Sequence, residues 1–514
     1  MPYLDFNLAT PPFQGDEFDV TVVGAGAAGI MLALELTRRG RKVLLVESGC
    51  FGENEKRQAY NDVEQTGKFL ANAVWGRKRA VGGTTIAWGG QSLPFRELDF
   101  EGREWVQNSG WPIPYDTVAK HYRAANDFMK IDRLDYREEI FKLCSIKDPG
   151  FSKDLIDFHF SKWAPEPDFT KVHGKELDLN VPVIFNALLT SIDTDGNGRV
   201  TGICIQNYSG SSHSLKVNRM VIAAGGIETV RTLLANRQPD GIEIGNHSGW
   251  LGKCFMDHPC IEAGIVKPAD GYGFQRLFSS SLRNGRKYSK RLSLSAEAQR
   301  SRGLLNASAM IMFSYPEESF DPYLEIRNMR NWKLPNLPQL LSSLPSYSMS
   351  LRAYLQHNFF YKHGAQAKLV MMLEQEPTRE SWIGLSESRD PHGIPRAKVH
   401  WDVTRRTWDS VIALSDICRV ELSRLGLGEY EPYAHVKQDF EEWKEALSDV
   451  CHHMGGARMS KTPENGVVDT ELNVWGYSNL RILSSSVFPT VSHSNPTLTL
   501  LALGQRLAQD RAWV

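Results

Sequence analysis

Nothing in this chain marks it as a membrane protein or a polyelectrolyte. No apolar run approaches the roughly 20 residues that a bilayer span requires. Lys and Arg (59) so nearly balance Asp and Glu (60) that the formal net charge is −1, which removes the electrostatic case for a nucleic-acid or anionic-membrane partner. The opening MPYLDFNLATPPFQGDEFDV has neither a basic nor an apolar region of the kind a secretory signal carries, so none is expected. Seven scattered cysteines, odd in number and without C-x-x-C spacing, point to reduced thiols in a cytoplasm; Cys254 and Cys260 stand close enough to meet, but nothing requires it. Repeats and low-complexity tracts are also missing, and no metal is expected. What remains is a globular chain of 514 residues, 41% hydrophobic, with room for two intimately connected domains and a small neutral substrate.

The organising stretch is Phe18 to Glu47, FDVTVVGAGAAGIMLALELTRRGRKVLLVE. Asp19–Val23 is a β-branched run suited to a buried parallel strand, and Gly24, Gly26 and Gly29 follow it in G-x-G-x-x-G spacing. Gly24 permits the tight turn, Gly26 lets a pyrophosphate approach the backbone, and Gly29 lets the helix expected at Ile30–Arg39 pack close to the sheet. The anion then rests on free N–H groups at a helix N-terminus. A second run, Lys42–Val46, ends in Glu47, placed to accept from a ribose hydroxyl and to repel a 2′-phosphate. A glycine pattern alone is weak evidence; strand, turn, helix, strand and acid in order predict a bound nucleotide, and the position near the start favours FAD.

Ser48–Arg79 reads as a polar segment with few periodic apolar positions. In AVGGTTIAWGGQSLPF, Gly82–Gly83 and Gly89–Gly90 bracket Thr84, Thr85 and Trp88, a loop whose backbone is expected to lie against a planar ring, with threonines and N–H groups donating to it. Pro114 and Asp116 mark a helix start, with His121 expected on its surface. Pro182 onward predicts strand, turn at Asp195–Gly198 and strand; Lys216–Ala223 is a strand entering Ala224, Gly225 and a helix, which repeats the opening logic and returns the chain to the nucleotide sheet.

From about Asp257 to Asp449, LLNASAMIMF, AKLVMMLEQEP, SWIGLSES and RAKVHWDV read as strands of an antiparallel sheet with one solvated face. Ser314–Lys362, rich in aromatics and prolines, is a candidate lid, oligomer contact or, equally, packing filler, and Trp408–Arg424 a helix. The organisation expected is therefore α/β: a discontinuous dinucleotide-binding domain over 1–256, a substrate domain over 257–449, and a return to the first over 450–514. That return holds CHHMGGARMS and NLRILSSSVFPTVSHSNPTLTLLALGQRLA, in which a helix opens at Pro496 and Thr497 and aims its positive end at a flavin.

Taken together, the fingerprint, VGGTTIAWGG, VIAAGGIET, LGKCFMDHP, HHMGGARM and VFPT with NPTLT resemble the glucose-methanol-choline (GMC) oxidoreductase family, most closely its sugar-oxidising branch of pyranose oxidases and C-glycoside oxidases. The resemblance implies a Rossmann-like FAD-binding domain with an α+β substrate domain, and a catalytic pair beside the flavin. His452 matches the histidine of the family's H-x-x-G segment and Asn495 the second position; His453 and His493 read as structural neighbours, with His493 a rival for the second role. Two departures are visible. Where pyranose oxidases attach FAD through a histidine this chain has Ala87, so non-covalent FAD is expected, and Ser484–Ser486 replaces the Asp-Gly-Ser of many relatives.

The implied reaction is oxidation of a secondary alcohol, with His452 as base and Asn495 orienting the oxygen. An unperturbed imidazole titrates near pH ~6.5, so the rate is expected to fall at acid pH. The substrate implied is a pyranose or glycoside oxidised at C2 or C3, with Gln375 and the aromatics around Tyr347–Tyr361 as candidate contacts. The electron acceptor is O2, a quinone or a partner protein, and a homo-oligomer is possible on this reading. A sterol or other apolar alcohol dehydrogenase, a flavin-dependent lyase and a non-catalytic flavoprotein scaffold are the alternatives.

Overall fold

The computed structural model describes residues 3–238, 240–316, 321 and 337–510. Its first layer is a six-stranded sheet, all parallel, in the order Tyr3–Asp5, Val183–Phe185, Val43–Val46, Val20–Val23, Met220–Ile222, Leu480–Ile482. Every residue of Val20–Val23 and Val43–Val46 is buried, as continuous apolar runs covered on both faces must be. The helix after the first of these strands spans Ala27–Arg38, and the helix Thr497–Leu507 lies directly against it: a Cβ at Gly504 would fall 2.0 Å from Met31 Cε. Residues from both ends of the chain and from its middle thus share one sheet.

The second layer is an eight-stranded sheet in the order Gly428–Pro432, Cys260–Pro268, Gln366–Leu373, Ala307–Ser314, Arg286–Leu294, Ile156–Trp163, Gln91–Ser92, with Ser281–Arg283 added beside Arg286–Leu294. Neighbouring strands are antiparallel throughout. The expected solvated face is found at one end only, where Met312 is 49% exposed and Lys368 pairs with the exposed Glu262. One face carries Phe158, Phe160, Leu292, Ala309, Leu369 and Met371, all buried; on this face Tyr430 hydrogen-bonds Ser415 (3.1 Å) of the helix Arg405–Arg424. The face of Met312 and Lys368 is itself buried toward its other end, at His159, Ser161, Arg291, Ser293 and Ser308.

Two strands expected in that sheet lie elsewhere. Trp382–Arg389 and Pro395–Trp401 form a separate three-stranded sheet with Val63–Gly67, which pairs parallel to Pro395–Trp401. Ser48–Arg79 therefore contains a strand that its polar composition concealed. His121 is buried, not on a helix surface: the apolar pattern breaks into helices Tyr115–Ala119 and Tyr122–Phe128, and the junction is covered where Tyr122 meets Thr499 of the last helix (3.0 Å). Part of the candidate lid, 317–320 and 322–336, lies outside the described residues. Its described remainder includes the helix Leu344–His357, with Leu344, Leu351 and Leu355 exposed. All seven cysteines are free, and no described helix is long and apolar enough to cross a membrane.

Candidate active site

Between the two layers lies a cavity of about 660 Å³, lined by Gly24, Gly26, Glu47, Gly83, Thr84, Thr85, Trp88, Gly89, Ala224, Gly225, His452, Asn495, Pro496 and Thr497 among others. Its size suits a cofactor or small ligand. The structure thus brings together almost every residue singled out in the sequence. Gly29 stands behind the lining, where a Cβ would fall 1.8 Å from the Gly24 carbonyl oxygen. Gly24 itself has φ +106°, and a Cβ there would meet the Ala223 carbonyl oxygen at 2.5 Å, so strand crossover and turn both demand glycine.

Three helices open onto this cavity: Ala27–Arg38 behind Gly26, Gly226–Ala235 behind Gly225, and Thr497–Leu507 behind Pro496. None has a side-chain cap. Helix starts normally satisfy their free N–H groups with Ser, Thr, Asp or Asn. Three uncapped starts on one chamber leave N–H donors and positive dipole ends for an anionic ligand. The wall is open where that ligand would approach: a Cβ at Gly225 would meet nothing within 4 Å, and one at Gly26 only Gly83 Cα, at 4.0 Å. These features fit a dinucleotide whose pyrophosphate needs the first start and whose ring system needs the last.

Glu47 is buried and its two oxygens accept from the Ala25 and Gly49 N–H groups, at 2.7 Å each. Burial raises its pKa, against those two donors. It first ties the strand end to the glycine turn; a ribose hydroxyl would be a further partner on the remaining lone pairs. Thr85 Oγ1 donates to the Gly82 carbonyl (2.6 Å), Thr84 Oγ1 accepts from Lys78 N (3.3 Å), and Trp88 Nε1 donates to the Pro167 carbonyl (2.8 Å). The side chains of Thr85 and Trp88 are thus committed to the fold, whereas exposed Thr84 keeps its hydroxyl proton free to donate into the cavity. Arg77 and Arg79, which also line the cavity, went unremarked in a stretch read as polar. With Arg231 they surround Glu228; burial would raise its pKa, but the three guanidiniums pull it down to about 2.

The chemistry-bearing contact is between His452 Nε2 and Asn495 Nδ2, 3.2 Å apart, with His452 Nδ1 and Asn495 Oδ1 buried and unpartnered. Burial first, and then the neighbouring basic groups of His258, His453 and Arg291, beside which a further proton is disfavoured, hold the His452 pKa well below 6.5. This corrects the expectation of an untuned imidazole: the base is neutral throughout the physiological range. His493 is not in the cavity lining, and its Nδ1 lies 2.9 Å from Asn306 Oδ1. His453 is drawn down to about 3 by burial, then Arg77, and its Nε2 lies 3.7 Å from Asp257 Oδ2.

Asp257 and His258, quoted in sequence only as part of a motif, set this geometry. Fully buried Asp257 accepts the backbone N–H of His452 at 3.1 Å from both its oxygens, and that of His258 at 2.6 Å. His258 stands edge-on to His452, ring centroids 5.1 Å apart, and its Nε2 lies 3.1 Å from the Ser494 carbonyl, next to Asn495. One dipeptide therefore fixes both halves of the pair. Gln375 is not a substrate contact. It is wholly buried and outside the cavity lining; its Oε1 accepts from Asp257 N (2.9 Å) and Trp401 Nε1 (2.8 Å), and its Nε2 donates to the Phe255 and Asp402 carbonyls. Nor do the aromatics around Tyr347–Tyr361 line the cavity: Phe359 and Tyr361 pack with Tyr272 instead.

A dinucleotide cradle of helix starts, closed at one end by a neutral imidazole and a carboxamide, defines an FAD-dependent oxidoreductase acting on CH–OH donors. Comparison with known proteins agrees. Residues 19–243 match the family model for FAD dependent oxidoreductases and residues 377–504 that for GMC oxidoreductases. The chain is 24% identical to 2-methyl-1,2-propanediol dehydrogenase of Mycolicibacterium austroafricanum, over 96% of this chain and 95% of that one. It is also 24% identical to the fructose dehydrogenase large subunit of Gluconobacter japonicus, over 95% and 97%. The solved structure of a formate oxidase superposes with a TM-score of 0.57 at 18% identity, covering 96% of this chain and 97% of that one. Through residues 377–504 and through relatives that span nearly its whole length, the chain is similar to the GMC oxidoreductases.

Proposed function

We propose that this enzyme oxidises a secondary hydroxyl of a pyranose, free or glycosidic, at C2 or C3 to the ketone. The observation that carries the proposal is the 3.2 Å approach of His452 Nε2 to Asn495 Nδ2 at the end of the cradle. A substrate hydroxyl that displaces the Asn495 N–H from Nε2 gives its proton to Nε2, while the freed carboxamide donates to the substrate oxygen and fixes its direction. FAD, when bound, supplies the acceptor for the hydride leaving the carbon. The two electrons then pass to O2 or a quinone.

A hydroxyl-rich substrate is favoured over a sterol by the polar side chains of the cavity wall, among them Thr84, Ser485 and, from the eight-stranded sheet, Gln91. The similarity to a fructose dehydrogenase subunit points the same way. Non-covalent attachment of FAD is supported by Ala87, which lines the cavity without a nucleophile, and by Cys451, whose thiol burial pushes up to about 12. Free thiols throughout suit a reducing cytoplasm.

Anaerobic mixing with pyranoses, glycosides and apolar alcohols, followed at the flavin absorbance band, tests the reading. Bleaching by a pyranose with a ketone product is expected. Faster bleaching by a sterol overturns the substrate class, and turnover without bleaching indicates a lyase. Acid precipitation should leave the yellow colour in the supernatant; colour in the pellet overturns non-covalent attachment.

A further inference from the structure

Arg291 sits at the buried end of the polar face of the eight-stranded sheet, 2% exposed, and no carboxylate of the described residues reaches it. Its Nη1 is 3.5 Å from Ser308 Oγ, a long contact, and its Nε is buried without a partner. In strand register it lies opposite His159, whose ring is 5.7 Å from that of His493, itself with an unpartnered buried Nε2. Cys260, opposite Met372, and Met372, opposite Ser308, complete the patch.

We propose that Arg291 receives the carboxylate of the substrate, so that the alcohol oxidised at His452 and Asn495 is a sugar acid or related hydroxy acid. This rests on the alcohol-oxidising reading above and narrows it. An isolated buried guanidinium costs several kcal/mol in lost hydration, which is why buried charges are paired. Nothing nearby supplies the counter-charge. Burial keeps the imidazoles of His159, His258, His452 and His493 neutral, and raises the Cys260 thiol to about 11, far from a thiolate. Arg291 itself is drawn down by burial only to about 10, so it is cationic at neutral pH. Arg96, the other cation acting on His159 and His493, is paired with Asp157 at 2.8 Å, so the charge left without a partner is that of Arg291. A carboxylate balances it and matches the planar fork, whereas a phosphate dianion would leave an excess negative charge in the same dry space.

The test compares glucose with glucuronate and galactose with galacturonate in anaerobic flavin reduction, using the FAD-loaded wild type and R291Q. Wild type should prefer each uronate at least tenfold, and R291Q should lose that preference. Acetate, titrated against equal chloride, should perturb the flavin spectrum of wild type and compete with a neutral sugar, and R291Q should show neither effect. Flavin content and thermal unfolding establish that R291Q is folded; if it is not, acetate competition in wild type decides. Equal or better reduction by the neutral sugars together with indifference to acetate overturns the proposal. Failure of every alcohol to bleach the flavin would strike the alcohol-oxidising reading instead, and the acetate titration would still decide whether Arg291 holds an anion.

Discussion

At the scale of single residues, the consequence that matters most is the environment of His452. Replacing it by alanine should slow flavin reduction by about 10²–10⁴-fold, the usual worth of a positioned base, with flavin content retained; rapid kinetics of reduction measures both. Because its pKa lies well below 6.5, kcat/KM should stay level as pH falls through 6.5 and decline only further into acid. A profile already half-lost at pH 6.5 would place the imidazole in water rather than in the buried position described. Gln375 makes the opposite prediction. Gln375→Leu strands the Asp257 N–H and the Trp401 indole N–H, so denaturant unfolding should register a loss of about 2–4 kcal/mol while the KM for sugar changes little.

At the scale of elements, the fit between glycine and backbone decides whether the cradle forms. Gly83 has φ +53°, and a Cβ on it would come within 2.7 Å of Gly26 Cα, backbone against backbone. Gly83→Ala is therefore expected to yield folded protein largely devoid of flavin, measured as the ratio of flavin to protein absorbance. Strand, turn and helix here were legible because their signals are local: a β-branched run, glycine spacing, a 3.6-residue period. The same holds for the helix starts at Gly225 and Pro496. The partition of strands between sheets was not, because Val63–Gly67 pairs with Pro395–Trp401 from the far part of the chain and no local pattern encodes that partner. Asp257, His258 and Gln375 failed to declare their roles for a related reason. Whether a polar side chain touches ligand or braces a loop depends on what folds over it, and all three are covered completely.

At the scale of the whole molecule, the interior holds seven histidines whose pKa values burial lowers: His121, His159, His173, His258, His452, His453 and His493. In the unfolded chain each takes a proton below about 6.5, while in the folded protein it stays neutral, so the unfolded state binds more protons. Their stabilisation is complete above about pH 6.5 and declines below it, by about 1.4 kcal/mol per pH unit for each group. Glu47 and Asp257, whose pKa values burial raises, act in the other direction above about pH 4 and offset part of this. Thermal unfolding followed from pH 8 to 5 should show a plateau and then a steep fall; a midpoint rising on acidification would contradict the burial of the imidazoles.

The arrangement of the parallel sheet also bears on how the molecule is made. Met220–Ile222 finds its outer neighbour only in Leu480–Ile482, and the cradle lacks a wall until Asn495 and Pro496 arrive. A ribosome has thus emitted most of the polypeptide before any cofactor can lodge, and during that interval a fully apolar strand edge is naked to other nascent chains. Cofactor loading must be a late event in biogenesis, and low flavin supply in an expression host should appear as aggregate rather than as soluble apoprotein.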